Sequence, residues 1–234
     1  MKKIKKCIAI ILARGGSKRI KNKNIKLFFK KPIISYPIKK ALLSNCFDEV
    51  YVSTDSKKIA KISSELGAKV PYLRPKNLSN DNANTVDAVN HFIRHLTNKK
   101  IEFDYVCCLY PTAVFFKTKH LKEAFKDIKK PNNNFIFTVT EFNQPIERSF
   151  SIKNNKISIS MEKKFLNSRS NNLQKKYYDA GQFYFGKKNS FLKKIPVFKK
   201  NTKIIKLDKN FTVDINEMSD WKLAELIYNN SNFL

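Results

Sequence analysis

No stretch of this chain reaches the run of about 18 apolar residues that a membrane-spanning helix needs, so the sequence predicts no transmembrane segment. Acidic residues are scarce as well: 19 Asp and Glu stand against 47 Lys and Arg, which gives a formal net charge of +28. Arginine supplies only six of those positive charges. Specific nucleic-acid sites generally use arginine to bind bases and phosphates, so we expect no specific nucleic-acid partner. The excess charge instead favours small anionic ligands.

Cysteine is equally sparse, with four residues and no C-x-x-C pair. Cys7, Cys107 and Cys108 lie in or beside predicted buried strands, which indicates reduced cysteines of the core and a reducing compartment. The basic amino terminus and the apolar residues that follow it resemble a signal peptide. However, residues 14–16 are Arg-Gly-Gly, and no small-residue cleavage site is present. We therefore expect a cytoplasmic protein.

The most informative stretch is residues 8–24, which read IAIILARGGSKRIKNKN. It begins as a β-branched apolar run that is typical of a buried strand, and it ends in a turn with two glycines. Five cations surround that turn: Arg14, Lys18, Arg19, Lys21 and Lys23. The stretch matches neither G-x-x-x-x-G-K-[ST] nor G-x-G-x-x-G. Because glycines let a backbone approach a ligand closely, the turn predicts a site for the phosphate chain of a nucleotide, with a basic surface turn as the alternative.

This stretch resembles the sequence (I/L)-x-A-R-G-G-S-K-R-I-x-x-K-N of the sialic-acid cytidylyltransferase family, the CMP-sugar synthetases of nine-carbon acidic sugars. Four further stretches match the family in order and spacing. They are CFDEVYVSTD at 46–55, LRP at 73–75, YYDAGQFY at 177–184, and VDIN at 213–216 with Asp220 and Trp221 behind it. The DAGQFY run is most similar to the pseudaminic acid branch of the family. The resemblance extends over nearly the whole chain.

Strand and helix patterns alternate along the chain, with a second strand predicted at Glu49–Ser53, which indicates an α/β fold with a mostly parallel sheet covered by helices. A length of 234 residues fits one such domain. The resemblance implies a single Rossmann-like nucleotidyltransferase domain over 1–234 with a dimerisation arm inserted at about 141–176. It thus also implies a homodimer, and we expect Arg169 in the arm to reach an active site, its own or that of a partner subunit.

The resemblance implies that CTP and a nine-carbon acidic sugar are the substrates. In this reaction the anomeric hydroxyl of the sugar attacks the α-phosphate of CTP, and the CMP-sugar and pyrophosphate are formed. Pseudaminic acid is the expected sugar, and N-acetylneuraminic and legionaminic acids are the alternatives. The sequence is also compatible with a cytidylyltransferase fold that has lost efficient catalysis, and with a non-catalytic, basic nucleic-acid-binding protein.

The resemblance also assigns roles to individual residues. Arg14, Lys23 and Asp214 are expected to act in catalysis. The residues expected at the nucleotide are Ala13, Gly15, Gly16, Ser17, Asn24, Arg74, Thr85, Tyr110 and Thr112. Those expected at the sugar are Arg169, Tyr178, Asp179, Gln182 and Tyr184. In this last set, the alternation of side chains along a strand places Gln182 and Tyr184 on one face.

The family has a D-x-D motif for Mg²⁺ where this chain has Asp214 and Asn216, next to an expected strand over Phe211–Ile215. An amide oxygen can bind Mg²⁺ but brings no charge, so we expect a weakened magnesium site, with Mn²⁺ as an alternative metal. Asp220 could compensate for the missing carboxylate. Asp55 follows another predicted strand and is either a metal ligand or, as we favour, a helix N-cap.

Overall fold

The structure is a computed structural model that describes residues 6–81, 83–158, 168–169 and 172–230. At its centre is a six-stranded sheet. In chain order its strands are β1 (Cys7–Leu12), β4 (Glu49–Ser53), β5 (Tyr105–Leu109), β6 (Phe135–Glu141), β9 (Tyr177–Lys187) and β10 (Thr202–Lys206). Two short antiparallel pairs lie outside this sheet: β2 (Leu27–Phe28) with β3 (Lys31–Pro32), and β7 (Ser151–Lys153) with β8 (Lys156–Ser158).

The strands of the central sheet lie side by side in the order β10-β6-β9-β5-β1-β4. β1 runs parallel to both β4 and β5, and β6 runs parallel to β10. Only β9, within this sheet, runs antiparallel to its neighbours, β5 and β6. The predicted mostly parallel sheet is therefore confirmed. Because the carboxyl ends of β1, β4 and β5 meet at one edge, the loops that follow these strands lie together there.

Helices cover both faces of the sheet. They are α1 (Ser35–Ser44), α2 (Lys57–Glu65), α3 (Thr85–Asn98), α4 (Thr118–Ile128), α5 (Lys188–Leu192) and α6 (Met218–Asn229). On one face Ile38 of α1, Ile59 of α2 and Leu121 of α4 share a buried cluster with β1. On the other face Phe92 of α3 and Phe191 of α5 do the same. No helix in the described part of the chain is both long enough and apolar enough to cross a membrane. All four cysteines are buried and free, which confirms their predicted place in the core.

Two helices that border this edge of the sheet have polar caps. α2 is capped by Ser56, whose hydroxyl accepts a hydrogen bond from the backbone N–H of Ile59. The prediction that Asp55 is this N-cap is therefore wrong, because the chain enters the helix one residue later than expected. α3 is capped by Asn84, whose side-chain oxygen accepts from the backbone N–H of Asp87 at 2.8 Å.

The segment before α6 also differs from the prediction. Lys209–Phe211 forms a short 3-10 helix, and residues 212–216 belong to no strand. The strand expected over Phe211–Ile215 is therefore wrong. Its alternating apolar side chains, Val213 and Ile215, are buried in a cluster with residues of α6, so the alternation reflects packing against a helix and not pairing in a sheet.

The expected arm at 141–176 starts where β6 ends and returns where β9 begins, because Glu141 pairs with Tyr177. Within it β7 and β8 form a hairpin, and residues 159–167, 170 and 171 lie outside the described residues. Ile152 and Ile157 face each other across the hairpin, with 69% and 62% of their surfaces exposed. The dimerisation role of the arm stays a prediction.

Candidate active site

A cleft of about 270 Å³ opens at the edge of the sheet where β1 and β5 end. Its walls come from the turn after β1, the loop after β5, and the start of α3 together with the loop before it. The predicted site residues that line this cleft are Arg14, Ser17, Lys23, Asn24, Arg74, Thr85, Tyr110, Thr112 and Asn216. The fold therefore brings stretches that are far apart in the sequence to one polar cleft.

The turn after β1 is fixed by two side chains. Asp55 accepts a hydrogen bond from the backbone N–H of Gly15 at 2.8 Å. Asn24 donates from its side-chain amide to the carbonyl oxygen of Arg14 at 2.9 Å. A Cβ added to Gly15 would lie 3.0 Å from the Cβ of Ser56, so the close approach of the turn to α2 favours glycine here. Asp55 thus braces the turn, which is a role that the sequence did not indicate.

A single carboxylate contacts two cations of the turn. Arg14 and Lys18 bind the two carboxylate oxygens of Asp81, at 2.6 Å and 2.7 Å. Hydrogen bonds from Lys18 and Arg14 lower the pKa of Asp81 from its ordinary value, so the carboxylate is ionised. Nothing in the sequence marks Asp81 beyond its place in a polar loop. An acidic side chain thus lies at the position where the sequence predicts a phosphate chain.

The segment that carries Asp214 approaches the turn from another direction. Lys23 donates to the carbonyl oxygen of Ile215 at 2.6 Å. Arg19 donates to the side-chain oxygen of Asn216 at 3.3 Å, and the side-chain nitrogen of Asn216 donates to Asp214 at 2.7 Å. Burial lowers the pKa of Lys23, and the nearby carboxylate of Asp214 opposes that shift. The two residues of the predicted metal motif are therefore tied to the basic turn.

The donor atoms fit a magnesium ion only in part. Asp214 is exposed and offers one carboxylate, which together with phosphate oxygens is enough for Mg²⁺. The side-chain oxygen of Asn216 instead accepts from Arg19. Asp220 accepts from the backbone N–H groups of Asn216 and Glu217, each at 2.8 Å, so its position is that of a helix cap and does not support a compensating metal role. Among the described residues, no group of three or more His, Cys, Asp or Glu could hold a metal ion.

Arg74 contributes a fixed cation to the cleft. Only 5% of its surface is exposed, and its Nε donates to the hydroxyl of Ser79 at 3.0 Å. Its backbone N–H donates to the carbonyl oxygen of Thr54 at 2.7 Å. Burial lowers the pKa of the guanidinium group, and Asp55 opposes that shift. A guanidinium held in this way can donate hydrogen bonds to the acceptor atoms of a base.

A second cavity, of about 410 Å³, adjoins the cleft, because Thr85 and Tyr110 line both. Burial raises the pKa of Tyr110, whose hydroxyl hydrogen-bonds to Thr85. The other walls are mainly apolar and include Val86, Tyr184, Phe191, Ile195, Pro196, Val197 and Phe198. The rings of Tyr110 and Tyr184 lie 5.9 Å apart between their centroids. A polar and a more apolar compartment therefore share one wall.

Three of the residues predicted to contact a sugar lie close together on β9. Tyr184 lines the second cavity, and its hydroxyl donates to the carboxylate of Asp179. Asp179 also accepts from the backbone N–H of Gly181 at 3.0 Å. Burial raises the pKa of Asp179, and Asp214 raises it further. Tyr178 is 40% exposed beside them.

Two predicted ligand residues are held in the interior. Gln182 is 1% exposed; its side-chain oxygen accepts from the N–H of Phe115 at 3.0 Å, and its nitrogen donates to the carbonyl of Ala180 at 2.9 Å. Ala13 is fully buried, and its N–H donates to the carbonyl of Ser53 at 3.0 Å. Neither residue lines the cleft or the second cavity, so we leave both out of the proposed ligand contacts.

The backbone N–H groups of the turn are less available than the sequence suggests. The N–H of Gly15 is used by Asp55, and that of Ser17 donates to the carbonyl oxygen of Gly15 at 3.1 Å. Gly16 is exposed, and a Cβ added there would meet nothing within 4 Å. Arg169 is exposed and lines neither cavity, so its predicted approach to an active site stays a prediction.

We predict that Asp55→Ala binds CTP more weakly than Asp55→Asn. Both variants lose the negative charge, but only Asn keeps an oxygen that can accept from Gly15. A hydrogen bond contributes about 1 kcal/mol, so the Ala variant should bind CTP about fivefold more weakly than the Asn variant. Titration calorimetry measures this ratio, and melting temperatures control for folding. Equal affinities would show that the bond does not position the turn.

Comparison with known proteins agrees with this geometry. The family model described as Cytidylyltransferase matches residues 8–233. The pseudaminic acid cytidylyltransferase of Campylobacter jejuni subsp. jejuni serotype O:23/36 (strain 81-176) is 40% identical over 223 residues, which cover 95% of this chain and 96% of that protein. A second relative comes from Helicobacter pylori (strain ATCC 700392 / 26695) and is named pseudaminic acid cytidylyltransferase and UDP-2,4-diacetamido-2,4,6-trideoxy-beta-L-altropyranose hydrolase. It is 37% identical over 94% of this chain and 42% of its own length.

Solved structures with the same fold include a CMP:2-keto-3-deoxy-manno-octonic acid synthetase complexed with CTP, with a TM-score of 0.69. The match covers 96% of this chain and 99% of that one at 13% identity, so it shows the fold alone. It confirms the predicted α/β architecture. The family model and the relatives at 37–40% identity carry the assignment further. This chain belongs to the cytidylyltransferase family.

Proposed function

We propose that this protein transfers CMP from CTP to the anomeric hydroxyl of pseudaminic acid and releases pyrophosphate. The observation that carries the proposal is the pair of adjoining cavities, in which a polar cleft and a more apolar cavity share Thr85 and Tyr110. The 40% identity to a curated pseudaminic acid cytidylyltransferase supports this choice of sugar. Because CTP is a cytoplasmic nucleotide, we place the reaction in the cytoplasm.

In this proposal CTP lies in the cleft with its triphosphate against the turn after β1. Arg14 and Lys23 stabilise the negative charge that grows on the phosphate oxygens as the leaving pyrophosphate separates. Lys23 is already oriented by its hydrogen bond to the carbonyl oxygen of Ile215, so little reorganisation of this side chain is needed during the reaction. Arg74 and the amino-terminal end of α3, which begins at Thr85, contact the rest of the nucleotide.

The sugar lies in the second cavity, where the apolar wall that includes Phe191 and Phe198 accommodates its acyl groups. Tyr184 and Asp179 offer hydroxyl and carboxylate groups to the sugar hydroxyls. Tyr110 stands between the two compartments, so the anomeric hydroxyl meets the α-phosphate beside this ring. Holding both reactants in line accounts for much of the rate in such a displacement.

We also propose that Mg²⁺ takes part, with Mn²⁺ as an alternative. The residue that would hold the ion is Asp214, whose exposed carboxylate lies beside the turn. A bound divalent ion would supply charge neutralisation on phosphate oxygens. Asn216 keeps Asp214 oriented through its side-chain nitrogen, and burial lowers the pKa of Lys23 while the carboxylate of Asp214 opposes that shift.

The reaction is tested by pyrophosphate release from CTP with pseudaminic, N-acetylneuraminic and legionaminic acids in parallel. We expect release with pseudaminic acid and much slower release with the other two. Release with another acid instead would keep the reaction and correct the sugar. No release with any of the three acids, with Mg²⁺ or Mn²⁺, would contradict the proposed function.

The metal proposal predicts a gain from Asn216→Asp. This variant restores a second carboxylate, so the Mg²⁺ concentration that gives half-maximal rate should fall, by roughly fivefold or more. Binding of Mn²⁺ to the protein with CTP, followed by electron paramagnetic resonance, gives a readout that is independent of rate. Asn216→Ser is the control, because it removes the amide without adding charge. If Asn216→Asp binds Mn²⁺ no better than the control, the ion does not lie at this motif.

We further propose that the protein is a homodimer that forms through the arm. The hairpin of β7 and β8 exposes a cluster of apolar side chains, namely Phe150 at 53%, Ile152 at 69% and Ile157 at 62%. Contiguous exposed apolar residues of this kind mark protein–protein contacts more often than solvent-facing surfaces. The arm leads into β9, which carries Asp179 and Tyr184 of the proposed sugar site.

Sedimentation equilibrium tests the dimer. The native protein should have twice the chain mass of 27.3 kDa. Ile152→Ser combined with Ile157→Ser should shift the protein to the monomer mass while its circular dichroism spectrum stays that of the native fold, because these side chains are exposed within one chain. Lys153→Ser combined with Lys156→Ser alters the next pair of the same hairpin and should leave the dimer intact. A monomeric native protein, or loss of the dimer in both double variants alike, would count against an apolar arm contact.

A further inference from the structure

One contact of the cleft that the proposed reaction does not use is the one between Asp81 and the basic turn. Both of its carboxylate oxygens are engaged, one by Arg14 at 2.6 Å and the other by Lys18 at 2.7 Å. All three side chains line the proposed nucleotide cleft. The Asp81 side chain is 48% exposed, so it is not an element of the core.

This contact has the chemistry of a phosphate group. A phosphate presents two or more anionic oxygens to neighbouring cations, and the carboxylate of Asp81 presents two to Arg14 and Lys18. Its pKa is lowered by hydrogen bonds from Lys18 and Arg14, so it carries a full charge at neutral pH. A triphosphate that binds the same two cations would meet this charge, and the resulting repulsion favours exchange over coexistence.

We propose that Asp81 is an internal anion that occupies the triphosphate position in the free protein, so that CTP binds by displacing its carboxylate from Arg14 and Lys18. This inference rests on the proposed function, because it takes the cleft to be the site for CTP. The ion pairs with Asp81 neutralise two cations of the turn when no nucleotide is bound. The apparent affinity for a phosphate ligand then equals the intrinsic affinity multiplied by the fraction of molecules in which Arg14 and Lys18 are free of Asp81.

The exchange is feasible because partly exposed ion pairs are weak. Such pairs contribute little to stability. The carboxylate binds the cations in most molecules of the free protein, but a ligand that carries several phosphate charges can displace it. Asp81 therefore lowers the affinity for ligands that bind Arg14 and Lys18 through phosphate, and it leaves a ligand without phosphate unaffected.

The test is titration calorimetry of the full chain and of Asp81→Asn in buffer with a chelator and no divalent metal. The probes are CTP, pyrophosphate and cytidine. We expect Asp81→Asn to bind CTP and pyrophosphate roughly three- to tenfold more tightly, as expected when two weak ion pairs no longer compete. Cytidine carries no phosphate, and its affinity should stay within about twofold of the native value on the same argument.

Salt dependence provides a second readout. In the native protein CTP replaces existing ion pairs, whereas in Asp81→Asn it forms new ones. The affinity of the variant for CTP should therefore fall more steeply with rising salt than that of the native protein. A purely structural role of Asp81 would not produce this change in slope.

Glu49→Gln is the matched control, because it removes an equal charge while its carboxylate binds Lys69 at 2.6 Å at the start of β4 and not the turn. It should change CTP affinity by less than about twofold, as expected for a charge paired elsewhere. If Glu49→Gln tightens CTP as much as Asp81→Asn, the effect is general charge and the inference fails. Unchanged or weaker CTP binding by Asp81→Asn overturns the inference alone. No CTP binding by the native protein, either without metal or after Mg²⁺ is restored, overturns the proposed function with it.

Discussion

Repulsion among like charges in the turn after β1 is the constraint on which the rest of the site depends. Five Lys and Arg residues fall within residues 14–23. Two unit charges 4 Å apart interact by about 4 kcal/mol near a protein surface, so such a turn is stable only where acceptors meet it. Acceptors for these cations come from two distant parts of the chain, Asp81 and the segment 214–216, and Asp55 accepts from the backbone of the same turn. These contacts determine which segments of the chain lie against the turn and form the walls of the cleft.

The turn and the strand before it could be predicted from the sequence because their signals are local. A β-branched apolar run forms a buried strand, and glycines permit the tight turn that follows it. Strand β4 has the predicted bounds Glu49–Ser53 for the same reason. The alternation of such segments with amphipathic ones was enough to indicate a mostly parallel sheet. Most of the predicted nucleotide residues then fall into one cleft, since they follow strands whose carboxyl ends meet at one edge.

The features of the site that the sequence did not predict depend on contacts between residues that are far apart in the chain and that no local pattern connects. Arg19 and Asn216 are 197 positions apart, and only the fold reveals that the side chain replacing an acid is bound by a cation of the turn. The alternation of apolar residues alone could not distinguish a strand at 211–215 from a segment packed against α6, because both bury every second residue. Gln182 follows the right alternation for the site face, yet its amide is bonded to the backbone of Ala180 in its own strand and of Phe115 in the segment after β5. Burial of a polar side chain requires such partners.

The reversed direction of β9 has a consequence for how this architecture can vary. Glu141 at the end of β6 pairs with Tyr177 at the start of β9, so the whole of 142–176 is, in topological terms, the loop of one antiparallel hairpin. The entropic cost of closing a loop grows only slowly with its length. Segments can therefore be inserted into or removed from this loop while both strands keep their register. The segment 142–176 can therefore change in length or sequence while the pairing of β6 with β9, and with it the sheet beside the proposed site, stays the same.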